Sequence, residues 1–230
     1  MSQDRREFLG TLLAAGVAPE LVRQSAGPSD AEGFAAADLL HHRRGAKRAE
    51  EWDLSWVGRL TGSHRAVFDW PQPNASAGLW RAGIWKKQVV EHLGAKPEEV
   101  SVVLVIRHGA IPMIMGDEFW ERHQLGKTRK LKDPFTNKTA ARNPYRRFEG
   151  RNQGSSIEGF LQSGGIVLAC GFAFGFMVSL EAKLQNKPAA EVRPQVLAEV
   201  IPGIVIQPSG FFALLEAQRN GCGLFPADLE

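Results

Sequence analysis

The chain has only two thiols, and they stand in unlike surroundings. Cys170 ends the run IVLAC, where an aliphatic, β-branched stretch gives way to Gly171 and a second apolar stretch, FAFGFM. A cysteine between a strand and a helix lies near unpaired backbone N–H groups and the positive end of the helix dipole, which favour the thiolate and so a nucleophile. The residue also reads as small hydrophobic filler, because cysteine is among the most often buried residue types. Cys222 stands where a short final strand begins and reads as filler. The two thiols would then lie at opposite edges of a sheet and should not form a disulfide. Three other polar side chains recur at the carboxyl ends of apolar runs: Asp69 in HRAVFDW, His108 after VSVVLVIR, and Ser209 after IVIQP. An imidazole there could accept a proton from a thiol, or serve as a hydrogen-bonded structural group.

The elements that must carry these residues follow from periodicity. HRAVFDW predicts a strand ending at Asp69. GLWRAGIWKKQVVEHLG predicts a helix with Ala82, Trp85, Val89 and Leu93 on one face and Gly94 as its stop. VSVVLVIRHG is a continuous apolar run, as expected of a strand buried on both faces. IPMIMGDEFWERHQLG predicts a helix with Pro112 in its first turn. SSIEGFLQSGG predicts a short helix opened by a serine cap and closed by glycine. IVLACG predicts a third strand, 172–186 a helix, IVIQPSG a fourth strand, FFALLEAQRNG a helix and CGLF a last strand. Strands alternating with helices define an α/β fold with a parallel sheet covered on both faces. In such a sheet ligands gather at the carboxyl ends of the strands, so Asp69, His108, Cys170 and Ser209 share one rim.

Between Lys127 and Gly154 the alternation breaks. The segment carries nine Lys or Arg against Asp133 and Glu149. Pro134, Phe135, Pro144 and Tyr145 make it a partly ordered flap, and a loop of that length is commonly functional. It reads either as a solvated basic face or as a site for an anion, an acidic partner or another subunit, with Arg142, Arg146, Arg147 and Arg151 as the attracting charges. The formal charge of +3 demands no nucleic-acid partner. No apolar stretch is long enough to span a membrane. LGKT at 125–128 lacks the upstream glycine of a phosphate loop, since position 121 is Glu, which argues against ATP chemistry. No cysteine–histidine cluster has zinc spacing. His108 and Cys170 would supply two ligands where zinc takes three or four, so no metal or cofactor is expected.

The N-terminus, DRREFLGTLLAAGVA, resembles a twin-arginine export signal through Arg5, Arg6, Phe8 and Leu9. That resemblance implies a leader over 1–37 with an uncertain cleavage site and a periplasmic location. A short amphipathic helix on a cytoplasmic protein is the alternative. Residues 38–63 form an N-terminal helical extension in which Trp52, Trp56 and Leu60 repeat every four residues, a packing stripe. The α/β domain runs over 64–226, with the basic insertion at 127–154.

The block VIPGIVIQPSGFFALLEAQRNGCGLF resembles the closing segment of the DsrE/DsrF-like sulfur-relay family, matched at Pro202, Gly203, Pro208, Ser209, Gly210 and Gly221. IVLAC matches that family's cysteine position, and RHG at 107–109 resembles its second strand and turn. The resemblance implies a three-layer α/β/α fold with a five-stranded parallel sheet in the order 4-3-2-1-5. It also implies a homo-oligomer, with Cys170 as the persulfide-bearing residue exchanging sulfur with donor and acceptor proteins. In that order His108 and Cys170 end neighbouring strands about 5 Å apart, whereas a flavodoxin-like order would separate them by roughly 10 Å. Gly171 would keep the backbone close to the sulfur. Asp69, Ser209 and the arginines Arg142, Arg146 and Arg147 would contact substrate. The apolar GFAFGFM after the cysteine departs from what a carrier open to partners would show, so a non-catalytic assembly protein on the same fold is the rival expectation.

Overall fold

Six of the seven residues of the second strand, VSVVLVI, are aliphatic and all seven are buried, which sets it at the centre of a sheet with cover on both faces. The computed structural model describes residues 52–73, 77–147 and 156–227. The expected leader, most of the 38–63 extension and residues 148–154 of the basic insertion lie outside the described residues. The strands are β1 (His64–Trp70), β2 (Val100–Ile106), β3 (Ile166–Cys170), β4 (Val205–Gln207) and β5 (Gly223–Pro226). They form one five-stranded sheet in the order β4-β3-β2-β1-β5, and every pairing is parallel. This is the expected order. Register brings the strand ends level: Trp70 pairs with Ile106, Ile106 with Ala169, and Cys170 with Gln207.

The helices are α1 (Ala77–Leu93), α2 (Asp117–Arg122), α3 (Leu125–Thr128), α4 (Ile157–Gln162), α5 (Gly171–Gln185), α6 (Ala189–Ala198) and α7 (Gly210–Arg219). Strand side chains alternate between two faces. Phe68, Trp70, Leu104, Ile106, Val167 and Ala169 pack on one side with α1, α4 and α5. Val67, Val103, Val105, Ile166 and Leu168 pack on the other with α7, Trp56 and Leu60. The result is a three-layer α/β/α fold. Trp56 belongs to a 3₁₀ turn, Ser55–Arg59, and packs with Leu60 against the α7 layer, whereas Trp52 precedes the turn and stands outside that cluster, so the expected stripe holds at two of its three positions.

Three local expectations change. Leu93 is 66% exposed: at the last position of α1, one turn beyond buried Val89, the apolar stripe outruns the core. The run from Ile111 is broken. A 3₁₀ turn, His108–Ile114, holds Pro112, Met115 pairs antiparallel with Val200, and α2 starts only after extended Gly116. Proline cannot donate to a helical ladder, and the bridge to Val200 together with the Gly116 N–H bond to the Glu199 carbonyl (2.8 Å) takes the backbone instead. Helix α6 is an addition that periodicity did not suggest, because Pro194 lies within it and only Val192 and Val196 are buried.

A polar joint ties α2, α5 and α6. Glu181 is buried on α5, and its carboxylate meets Arg122 (3.0 Å), His123 (2.7 Å) and the Gln185 amide (2.6 Å). Arg122 also reaches both oxygens of Glu199. Burial alone would raise the Glu181 pKa, but donation from Gln185, His123 and Arg122 outweighs it and holds the carboxyl below its ordinary value.

Candidate functional site

Cys170 is both the last residue of β3 and the cap of α5. Its backbone is still extended (φ −70°, ψ 111°), and its Sγ accepts the Ala173 N–H at 3.4 Å. One of the four unsatisfied donors at the start of a 15-residue helix therefore points at the sulfur. The residue is 7% exposed and packs with the core on the α5 side of the sheet. Gly171 follows because nothing larger fits: a Cβ there would lie 2.6 Å from the Gln207 carbonyl oxygen. The helix thus starts hard against β4.

The next strand ends in the same device. Ser209 caps α7, its Oγ accepting the Phe212 N–H at 3.1 Å. Two helices on opposite faces therefore begin at the same end of neighbouring strands, one capped by a thiol and one by a hydroxyl. Each capping atom already satisfies a backbone donor.

Asp69 is held by Arg107. Nε and Nη2 of the guanidinium donate to the two carboxylate oxygens at 2.7 Å each, a bidentate pair across β1 and the end of β2. The same guanidinium lies 4.8 Å from the Phe211 ring centroid, and the Arg107 stem presses on Gly210, where a Cβ would meet Cδ at 2.6 Å. Arg107 thus links the ends of β1 and β2 with the start of α7. Sequence reasoning passed over it in favour of His108. The usable signal was present: with β1 beside β2, an acid one residue before the end of β1 and an arginine one residue past the end of β2 come within reach of each other.

His108 has left-handed backbone (φ 49°), is exposed, and makes no side-chain hydrogen bond or ion pair among the described residues. Because Ile106 pairs with Ala169, the β2-side residue set beside Cys170 is Arg107, at a strand spacing of about 4.8 Å. His108 lies one residue beyond, where the chain turns away into the 3₁₀ segment. No hydrogen bond joins His108 to Cys170.

Three arginines of the basic insertion are engaged within the chain. Arg142 pairs with Glu121 at 2.7 Å. Arg146 bridges Glu158 (2.7 Å) and Asp117 (3.2 Å), and Arg147 pairs with Glu158 at 2.6 Å. Burial pushes the Glu158 carboxyl up, yet Arg147 and Arg146 together hold it below its ordinary value. Two of the four anchors are buried, Pro144 and Tyr145, the latter edge-on to Trp70 at 5.7 Å. Asn143, also buried, donates to the Met113 and Met115 carbonyls. Residues 142–147 are therefore a strap fixed to α2, α4 and the 3₁₀ segment. Arg151 lies outside the described residues.

Cys222 is buried in the α7-side core just before β5. Burial pushes its thiol up, with Arg65 offsetting part of that shift. Both cysteines are free. Among the described residues, no three His, Cys, Asp or Glu side chains are grouped to hold a metal ion, and no helix is long and apolar enough to cross a membrane.

The chain is, by fold, a three-layer α/β/α protein with a thiol-capped helix at the carboxyl edge of its parallel sheet. No protein-family model and no curated protein matches it. Among solved structures it is similar to a protein of unknown function from Methanobacterium thermoautotrophicum, with 10% identity and a TM-score of 0.38, covering 71% of this chain and 99% of that one.

Proposed function

We propose that the chain is a sulfur-handling protein in which Cys170 carries sulfane sulfur as a persulfide. The observation that supports this most directly is the Ala173 N–H directed at Sγ, since an amide donor and a helix N-terminus stabilise negative charge on sulfur. With thiosulfate as donor, the Cys170 thiolate attacks the outer sulfur. A new S–S bond forms, the donor's S–S bond breaks, and sulfite leaves with the electron pair. An acceptor thiolate then attacks the outer sulfur of the persulfide, taking that atom and returning Cys170 as thiolate, so no external oxidant or reductant is consumed. His108, exposed at the same rim, is assigned the proton released when the thiol ionises. Asp69 and Ser209 act by position, the first by holding Arg107 and the second by fixing the start of α7. Export by the twin-arginine route, a periplasmic location and assembly as a homo-oligomer belong to the same reading.

A second reading, a non-catalytic assembly subunit, has its own support. Cys170 is nearly covered, while Phe172 (68% exposed) on α5 and Phe211 (70%) on α7 turn aromatic surface outward, as subunit packing would use. Alkylation of the native protein by iodoacetamide near neutral pH separates the two. Rapid modification of Cys170 supports sulfur chemistry. A thiol as slow as Cys222 supports the scaffold.

A further inference from the structure

The part of the basic insertion nearest α3 is a built turn. Asp133 N–H donates to the Lys138 carbonyl (2.8 Å) and Asn137 N–H to the Asp133 carbonyl (2.9 Å). Asp133 Oδ1 accepts the N–H groups of Phe135 and Thr136 at 2.8 and 2.9 Å. Lys132 pairs antiparallel with Thr139, and below that bridge the Ala140 N–H donates to the Leu131 carbonyl at 3.0 Å. At the base, Gly126 approaches the Ala140 carbonyl so closely that no side chain could be inserted, and Leu125 and Ala140 are buried. The conformation is therefore set before any partner arrives.

What this turn presents is cationic and aromatic. Lys127, Arg129, Lys130, Lys132 and Lys138 are all exposed, and no ion pair engages them among the described residues. The only acid in this stretch, Asp133, has one carboxylate oxygen committed to two backbone donors. Phe135 stands at the apex between exposed Pro134 and Thr136 and is itself 56% exposed.

We propose that this turn docks the protein tip-first on an anionic lipid surface, with Phe135 entering the headgroup layer and the cations on both faces of the turn and at the end of α3 drawn to lipid phosphates. Four of those cations are lysines, compact charges with little directional demand, which suits a fluid array of phosphates. The arginines suited to bidentate recognition of a defined acidic partner, Arg142, Arg146 and Arg147, are already held by the chain's own carboxylates. Single-stranded nucleic acid calls for a groove with successive aromatic platforms, and this turn offers one aromatic at its apex. The headgroup region of a bilayer accepts a lone aromatic without a preformed pocket. This inference does not depend on Cys170.

The test is co-sedimentation of the full chain with vesicles of phosphatidylcholine alone and of phosphatidylcholine mixed with phosphatidylglycerol. Binding is expected only to the anionic vesicles and should weaken as salt is raised. The double variant Lys132→Ala/Lys138→Ala should bind roughly 25-fold more weakly, about fivefold per cation near the surface. Phe135→Ala should lose several-fold, and the double lysine variant should melt with the parent because both of its substituted side chains are exposed. The proposal is overturned if anionic vesicles fail to bind the parent at low salt, or if both variants bind like the parent. Tighter binding to a single-stranded oligonucleotide or to polyglutamate than to anionic vesicles also overturns it.

Discussion

Replacing Gly171 by alanine tests the packing that fixes the start of α5. The added Cβ would stand 2.6 Å from the Gln207 carbonyl oxygen and 3.3 Å from both Ile206 Cγ2 and the Pro208 oxygen. A relaxed carbon–oxygen contact needs roughly 3.3 Å, so helix and strand must separate by about 0.7 Å. The nearest obstacle is backbone, which cannot rotate aside as a side chain would. Its strand, β4, is an edge strand held only by β3, so the register that levels Cys170 with Gln207 is what would give way. Overpacking costs roughly 1–3 kcal/mol, and a clash with backbone belongs in the upper half of that range. Gly175, one turn further along the same helix, has nothing within 4 Å of an added Cβ. Alanine there should gain roughly 0.5–1 kcal/mol by lowering the entropy of the unfolded chain. The two variants should therefore differ by about 3 kcal/mol. With a urea slope of roughly 1–3 kcal/mol per molar, their midpoints should lie at least about 1 M apart, on opposite sides of the parent. Far-ultraviolet circular dichroism against urea measures both. A Gly171→Ala midpoint at or above the parent's, or a Gly175→Ala midpoint equally depressed, would refute the reasoning.

Further expectations concern the charged contacts and the second thiol. Asp69→Asn and Arg107→Gln should each destabilise the fold, and a double-mutant cycle by urea unfolding should give a coupling of roughly 1.5–3 kcal/mol, because the pair is bidentate and mostly shielded from water; additive effects would deny the pair an energetic role. The lowered pKa of Glu181 gives stability that is complete above the ordinary carboxylate range and drains away as pH falls through the folded value. Urea midpoints measured against pH should accordingly fall in acid for the parent and fall less for Glu181→Gln, and parallel acid limbs would exclude this contribution. Cys222, whose thiol burial pushes up, should alkylate more slowly than a free cysteine in the native protein at neutral pH and at the free rate in urea. Fast native labelling would contradict its burial.

Much of the fold was legible because β2 and β3 are continuous apolar runs bounded by clear helix signals, with Ser156 and Gly164 marking α4 as expected. The strand order rested on the family resemblance and is the order observed. Elements decided by tertiary contact were harder to read. Met115 is drawn out of a helix by Val200, and α6 hides behind Pro194. At the rim, Cys170 was legible as a thiol at a strand–helix junction and Ser209 as a polar strand-end residue, but their capping roles depend on where each helix begins. Asp69 was visible as a strand-end acid, while its partner Arg107 lay next to a more conspicuous histidine. The basic insertion read as one charged run. Folding divides it, because Glu121, Asp117 and Glu158, which lie outside its span, claim three arginines and leave the lysine-rich turn facing water.

The most direct test of the proposed role of Cys170 is the intact mass of the native protein after incubation with thiosulfate, compared among the parent, Cys170→Ser and Cys222→Ser. The account predicts one added sulfur atom on the parent and on Cys222→Ser, removed by reductant, and none on Cys170→Ser. Equal sulfur on Cys170→Ser and the parent, or none on any of the three, would contradict it.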